Sequence, residues 1–332
     1  MMDSFWIGAL ALTIFLYVIL DGFDLGVGML LPFARGGRGR SEMFASIAPV
    51  WDGNETWLVL NGTILFGMFP LVYATLLSAF YLPLMLMLAA LILRGVSFEY
   101  REKAVHTRAL WEACFIGGSF VATLIQGTAV GALVVGLPME GTRYVGGAFG
   151  WFSPFALLCG VGLCLGYMLI GAGWLTYKTG DAVAGFAFRL IPWLLTGVLV
   201  FLAIAFVVAL HLDLSVMRLW STRPLLFCFP ALGLLAAIGM IWAVRHRRPL
   251  MPFLFGVTLF AAAFATLGFS FYPYMIPFAI TASQAVAPPS SVAFLFYGAG
   301  LFVLPLTLVY TLVVYFVFKG RVGAGSGYGA ER

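Results

Sequence analysis

Two carboxylates three residues apart inside an apolar run of membrane length suit one task above others, binding a proton from one side and releasing it to another. Asp21 and Asp24 stand this way in YVILDGFDLGVG, residues 17–28. An acid near the bilayer centre costs about 2.5–3.5 kcal/mol on insertion scales, and such residues face protein or a water-filled cavity. At i and i+3 they share one helix face, close enough to share a proton and titrate as a pair. A second acidic group, in PVWDGNETWLVLNG, places Asp52 and Glu55 in the opening turns of the next apolar run, with Pro49 suited to its first turn. The positive end of a helix dipole favours anions there, so this second group also reads as plain decoration of a helix N-terminus. Arg94, at the end of the third run, is the obvious countercharge.

Gly22, Gly26 and Gly28 interleave with the first two acids and form a small-residue surface that lets another helix approach closely. The acids therefore face protein. Because the first run ends where the second begins, Asp52, Glu55, Asp24 and Asp21 form a series descending from one membrane surface inward. A wet row of buried acids is what proton uptake needs. Two other readings compete. A proton-coupled secondary transporter would also bury acids, although no paired, interrupted segments recur in two halves of the chain. A scaffold would use the acids only to join helices, and Asp24→Asn would then leave turnover intact.

The elements that must position these residues follow from composition. Of 332 residues 63% are hydrophobic and 9% charged, with mean hydropathy +1.05, which is the signature of an integral membrane protein. The opening MMDSFW lacks a basic segment, so the first apolar run reads as a span and not as a cleaved leader. Runs of about twenty apolar residues predict nine spans, near 5–31, 52–74, 76–95, 111–136, 152–176, 187–210, 224–244, 251–272 and 291–318. The second and third meet at FPLVYATLL, where Pro70 suggests a tight outer turn. On this count 15 of the 18 Lys and Arg residues fall on one side and only Arg143, Arg218 and Arg223 on the other. That asymmetry puts the N-terminus outside and the C-terminus in the cytoplasm. The net charge of +5 is thus a topology signal and says nothing of nucleic acid. The expected fold is an all-α membrane protein: one transmembrane domain over 1–320, two four-helix bundles plus a peripheral helix, and a Gly-rich cytoplasmic tail at 321–332.

Redox and metal chemistry find little foothold. Cys114, Cys159, Cys164 and Cys228 lie in or at the ends of apolar runs without a CxxC, which suits packing. His106, His211 and His246 fall in loops or at helix ends, whereas buried haem iron calls for an axial ligand inside a bundle. The chain is therefore expected to ligate no metal and no haem of its own, with a Met-only ligand as the remaining route among 13 methionines. Gln126 and Asn61 are expected to bond between helices, and Glu99, Glu112 and Asp181 to be surface ion-pair partners.

DGFDLGVGMLLPF at 21–33, SIAPVWDGNETWL at 46–58, FPLVYA at 69–74, LRGVSFEYR at 93–101 and YPYMIP at 272–277 carry a resemblance. The chain resembles subunit II of the cytochrome bd quinol oxidases along its whole length, and its compact size is similar to the cyanide-insensitive branch. The resemblance implies a complex of the bacterial cytoplasmic membrane that oxidises quinol at the outer face and reduces dioxygen with protons from the cytoplasm. Haems b558, b595 and d would sit in the partner, subunit I, which pairs with this haem-free chain as a heterodimer, in some members joined by a small single-helix accessory subunit. By motif position, Asp21, Asp24 and Asp52 would line a proton route with Arg94 close by, and Glu55 is a weaker candidate than Asp52. Trp51 matches a position where some members hold a structural quinone, and it reads equally as an aromatic anchor at headgroup depth among membrane lipid.

Overall fold

The computed structural model describes residues 2–34, 36–211, 220 and 223–322. Arg35, Arg218, Arg332 and the Gly-rich tail from residue 323 lie outside the described residues. The helices run in the order α1 (Met2–Leu30), α2 (Gly36–Ile47), α3 (Trp51–Met68), α4 (Pro70–Lys103), α5 (Arg108–Val135), α6 (Pro154–Lys178), α7 (Asp181–His211), α8 (Cys228–Arg245), α9 (Met251–Phe271), α10 (Pro289–Leu295) and α11 (Val303–Val317). Two short hairpins interrupt the loops, β1 (Met139–Glu140) with β2 (Arg143–Tyr144), and β3 (Tyr274–Ile276) with β4 (Ile280–Thr281).

Among the described residues eight helical segments are long and apolar enough to cross a membrane. The second of the nine expected spans, α3, is not one of them. It is 18 residues long and carries Asp52, Asn54, Glu55 and Asn61, of which Asn54 and Glu55 meet partners on neighbouring helices. The break after it also differs from expectation. It falls at Phe69, where the backbone leaves the helix (φ −131°, ψ 57°), and Pro70 opens α4 instead of lying inside a turn. Proline costs no hydrogen bond in a first turn, so the two helices join almost without a loop. Pro49 is not in the first turn of α3 but in the short link after α2. The last expected span is likewise divided, because a π turn at Phe296–Gly300 separates α10 from α11. Within the 34-residue α4, Phe80 is non-helical (φ −115°, ψ 19°), three residues before Pro83, whose ring and missing N–H account for a kink.

Packing closes two rings of four helices. The first is α1, α3, α4 and α5, and the second is α6, α7, α8 and α9; α6 joins them by packing on both α1 and α5. Outside the rings, α11 buries none of its residues. The junction explains the glycines of α1. A Cβ on Gly26 would overlap the backbone carbonyl of Tyr167, and one on Gly171 would lie 2.7 Å from the Val27 nitrogen, so α1 and α6 cross backbone to backbone. Every residue from Asp21 to Leu31 is buried. Ser153 and Pro154 start α6 cleanly, the Ala156 N–H donating to Ser153 Oγ at 3.1 Å.

The amphipathic α2 has no counterpart in the expected spans, because its Gly- and Arg-rich sequence carries no membrane-length apolar run. It is held by Glu112, which is 7% exposed and not the surface residue expected from its setting among cations. Glu112 accepts from Arg40 Nη1 at 2.9 Å and from Arg101 Nε and Nη2 at 3.0 and 2.9 Å, with Arg108 at 3.6 Å. The Arg101 guanidinium also covers the Phe44 ring of α2 at 4.0 Å. Glu99 and Asp181 are exposed and have no ion pair among the described residues. Glu112→Gln strips the charge that holds Arg101 through both Nε and Nη2, leaving the buried guanidinium only the longer contact of Nη1 with Glu102 at 3.4 Å. It is expected to cost roughly 3 kcal/mol, the low end for breaking a buried pair, because Arg40 and Arg108 stay hydrated. The check is limited trypsin cleavage at Arg38 and Arg40, which should become several-fold faster in the variant complex.

Candidate functional site

Helix α1 presents its acids where three helices meet. Asp21, Asp24 and Arg94 are each 0% exposed. Arg94, from α4, donates through Nη1 to Asp21 Oδ1 at 2.8 Å, which makes it the countercharge expected from sequence. Its guanidinium also lies 5.9 Å from the Phe115 ring. A Cβ on Gly118 would stand 2.6 Å from the Ala90 carbonyl oxygen and 3.1 Å from Arg94 Cβ, so α5 must be bare at that point to let α4 seat the arginine.

Asp24 has a different partner. Asn54, one turn into α3, donates through Nδ2 to Asp24 Oδ2 at 2.7 Å and to the Leu20 carbonyl at 3.2 Å, while its Oδ1 accepts from the Tyr315 hydroxyl of α11 at 2.9 Å. Each carboxylate thus has its own hydrogen-bond donor, and no bond joins the two directly. Each also keeps one oxygen, Asp21 Oδ2 and Asp24 Oδ1, with no partner among the described residues, as do Arg94 Nε and Nη2. Burying polar atoms unpaired costs stability, so four of them around two acids and one cation call for an explanation.

Toward the start of α3 the two remaining acids separate. Glu55 Oε2 is 4.0 Å from Arg94 Nη1 with its side chain 27% exposed, so it spans the distance between the buried pair and the surface. Asp52 is exposed and has no ion pair or side-chain hydrogen bond among the described residues. Of the two, Glu55 is thus the one that faces the buried pair, and Asp52 is the one that faces outward. Trp51 stacks on Phe98 at 5.1 Å and packs over Gly95, a use of the ring that suits an anchor between α3 and α4.

A second polar group lies further along α1 on the same face. Tyr17, four residues before Asp21, accepts from Gln126 Nε2 at 2.7 Å, and Gln126 Oε1 accepts from the Tyr167 hydroxyl at 3.1 Å. Gln126 thus bonds between helices as expected, whereas Asn61 Oδ1 has no partner among the described residues. Asn54 and Tyr315 went unread in the sequence. The only signal for Asn54 was its position two residues after Asp52, and nothing marked one tyrosine of α11 above the others.

Among the described residues no three His, Cys, Asp or Glu side chains converge as a metal site, and the three histidines are exposed, His106 in the loop between α4 and α5, His211 and His246 at helix ends. None of these three histidines stands inside a helix bundle, where an axial ligand to a buried haem would sit.

Comparison with known proteins identifies the family. Residues 2–318 match the family of cytochrome bd terminal oxidase subunit II. The chain is 32% identical over 347 aligned positions to the probable cytochrome oxidase subunit 2 of Haemophilus influenzae, covering 93% of this chain and 92% of that one. It is 32% identical to the cytochrome bd-I ubiquinol oxidase subunit 2 of Escherichia coli, covering 92% and 91%. With the cytochrome bd ubiquinol oxidase subunit 2 of Bacillus subtilis it shares 28% identity over 97% of each chain. Its fold matches the structure of bd oxidase from Geobacillus thermodenitrificans with a TM-score of 0.77 at 20% identity, over 96% of this chain and 99% of that one. The chain therefore belongs to the cytochrome bd terminal oxidase subunit II family, as a multi-pass helical subunit of an oxidoreductase of the bacterial inner membrane.

Proposed function

We propose that this chain is the haem-free subunit of a quinol:dioxygen oxidoreductase and supplies protons from the cytoplasm to the oxygen-reducing site of its partner, subunit I. The observation that carries the reading is the buried Asp21–Arg94 pair with Asp24 one turn away, reached from the surface through Glu55. Two carboxylates with free oxygens beside a fixed cation can pass a proton while the local charge stays balanced. Haems b558, b595 and d are assigned to subunit I, consistent with exposed histidines in this chain. Those haems supply the electron transfer and oxygen chemistry; the residues here only hold and move protons. The topology in this reading is nine spans with the N-terminus outside, α3 being the ninth because protein, not lipid, meets its polar side. The relatives named for ubiquinol make a quinol the electron donor of the complex. A structural quinone at Trp51 rests on motif position alone, as does a single-helix accessory subunit. The transporter reading gains no support from the family match.

Asp24→Asn in the intact complex is expected to slow oxygen consumption at least about tenfold, an added barrier of ~1.4 kcal/mol, with b- and d-type bands kept in the reduced-minus-oxidised spectrum. Glu55→Gln should slow it more than Asp52→Asn. Normal turnover in Asp24→Asn would sink the proton route, and haem loss in step with activity would make Asp24 a residue of assembly.

A further inference from the structure

The amide of Asn54 is fully engaged, and its orientation is forced. Nδ2 faces two acceptors, Asp24 Oδ2 and the Leu20 carbonyl. Turned over, the amide would point its oxygen at both. The remaining atom, Oδ1, is 2.9 Å from the Tyr315 hydroxyl, which must therefore donate. A chain of donors thus runs from Tyr315 through Asn54 to Asp24 and ends on a carboxylate oxygen.

Tyr315 comes from the least embedded helix of the fold. Its ring meets Trp174 edge-on at 6.0 Å, and on another side it lines a cavity of about 180 Å³ shared with Tyr177, Lys178, Phe253 and Lys319. Packing thus covers the ring on one side and leaves the cavity on the other. What holds this end of α11 is a latch three residues further on. The Lys178 ammonium of α6 donates to the Phe318 carbonyl and to the Gly320 carbonyl, the latter at 2.9 Å. The Tyr177 hydroxyl donates to the Lys319 carbonyl at 3.1 Å, and the Val322 N–H returns a bond to the Lys178 carbonyl at 2.8 Å. A cation on the C-terminal carbonyls of a helix also opposes its dipole.

We infer that Tyr315 is a positioning residue for Asp24, held in place by the latch and acting through Asn54. This inference rests on reading Asp24 as a proton carrier. With the Tyr315 hydroxyl in place, the Asn54 oxygen is satisfied and its N–H stays on the carboxylate. Without it, a buried amide oxygen is left without a donor, and Asn54 loses one of the three bonds that hold its N–H against Asp24. The charged groups around Asp24 from every packed element are Asp21 on α1, Glu55 on α3 and Arg94 on α4; α11 brings only the phenol.

The test uses the assembled oxidase with Tyr315→Phe, which keeps the ring and removes the hydroxyl. Oxygen consumption is measured against quinol concentration, alone and combined with Asp24→Asn. We expect kcat to fall about three- to tenfold, KM for quinol and the haem spectrum to stay as in the unaltered complex, and the double variant to be no slower than Asp24→Asn. An unchanged kcat in Tyr315→Phe, a change confined to KM, or a further loss on top of Asp24→Asn overturns the inference. Unaltered turnover in Asp24→Asn overturns the proton-route reading itself, and a slow Tyr315→Phe alongside it shows that the tyrosine acts elsewhere.

Discussion

Gly26→Ala should prevent the two helical rings from closing, at a cost above about 3 kcal/mol, beyond the usual range for overpacking. The reason is the identity of the obstacle. A Cβ there meets the Tyr167 carbonyl and backbone of α6, not the tip of a side chain that could turn aside. The partner glycine, Gly171, also meets backbone, a Cβ there falling 2.7 Å from the Val27 nitrogen of α1, so neither helix can yield locally. Separating the helices would pull Tyr167 from Gln126, and Gln126 from Tyr17, and would loosen the buried half of α1 that carries both acids. Gly62→Ala is the matched control. It lies inside α3 with open space around it, and gains up to about 1 kcal/mol of helix propensity. Thermal unfolding of the detergent-solubilised complex, followed by haem absorbance, should show the first variant absent or strongly destabilised and the second unchanged or slightly more stable. Equal midpoints would mean that the crossing is looser than its geometry implies.

The same residues show what can be read before a structure is known. Asp21, Asp24 and Arg94 were legible because a charge inside an apolar run is costly, so it must have a partner, and the cation at the end of the third run was the nearest available. Gly26 was legible as a contact, though not as a contact with backbone. The different settings of Asp52 and Glu55 were not. They sit three residues apart in one turn, and only the rotation of α3 against α4 turns Glu55 toward Arg94 and Asp52 outward. Asn54 was hidden for a related reason: beside two acids at a helix start it reads as part of a polar end, while its use depends on α11, 261 residues later. Helix α2 was missed because Arg40 and Phe44 tie it to the distant Glu112 and Arg101, and its own composition carries no apolar run. Periodicity reports a face, and distant partners are fixed by tertiary packing.

Arg94→Leu should be the most damaging single change at the site, since it leaves Asp21 buried with no cation and brings the neighbouring Asp24 and Glu55 into uncompensated repulsion. Breaking a buried pair from one side costs about 3–5 kcal/mol, and the complex is expected not to accumulate. Asp21→Leu should be milder, because Glu55 at 4.0 Å remains to balance Arg94. The informative variant is the double one. Replacing both partners with leucine removes two desolvated charges at once, and such exchanges are often neutral or stabilising by about 1–4 kcal/mol. Arg94→Leu with Asp21→Leu is therefore expected to restore assembly and haem content while oxygen consumption stays low. An ion pair that an apolar pair can replace without loss of stability is not kept by the fold for its own sake. Restored turnover along with restored assembly would show the opposite, that this pair only joins α1 to α4 and that protons travel by way of Asp24 alone.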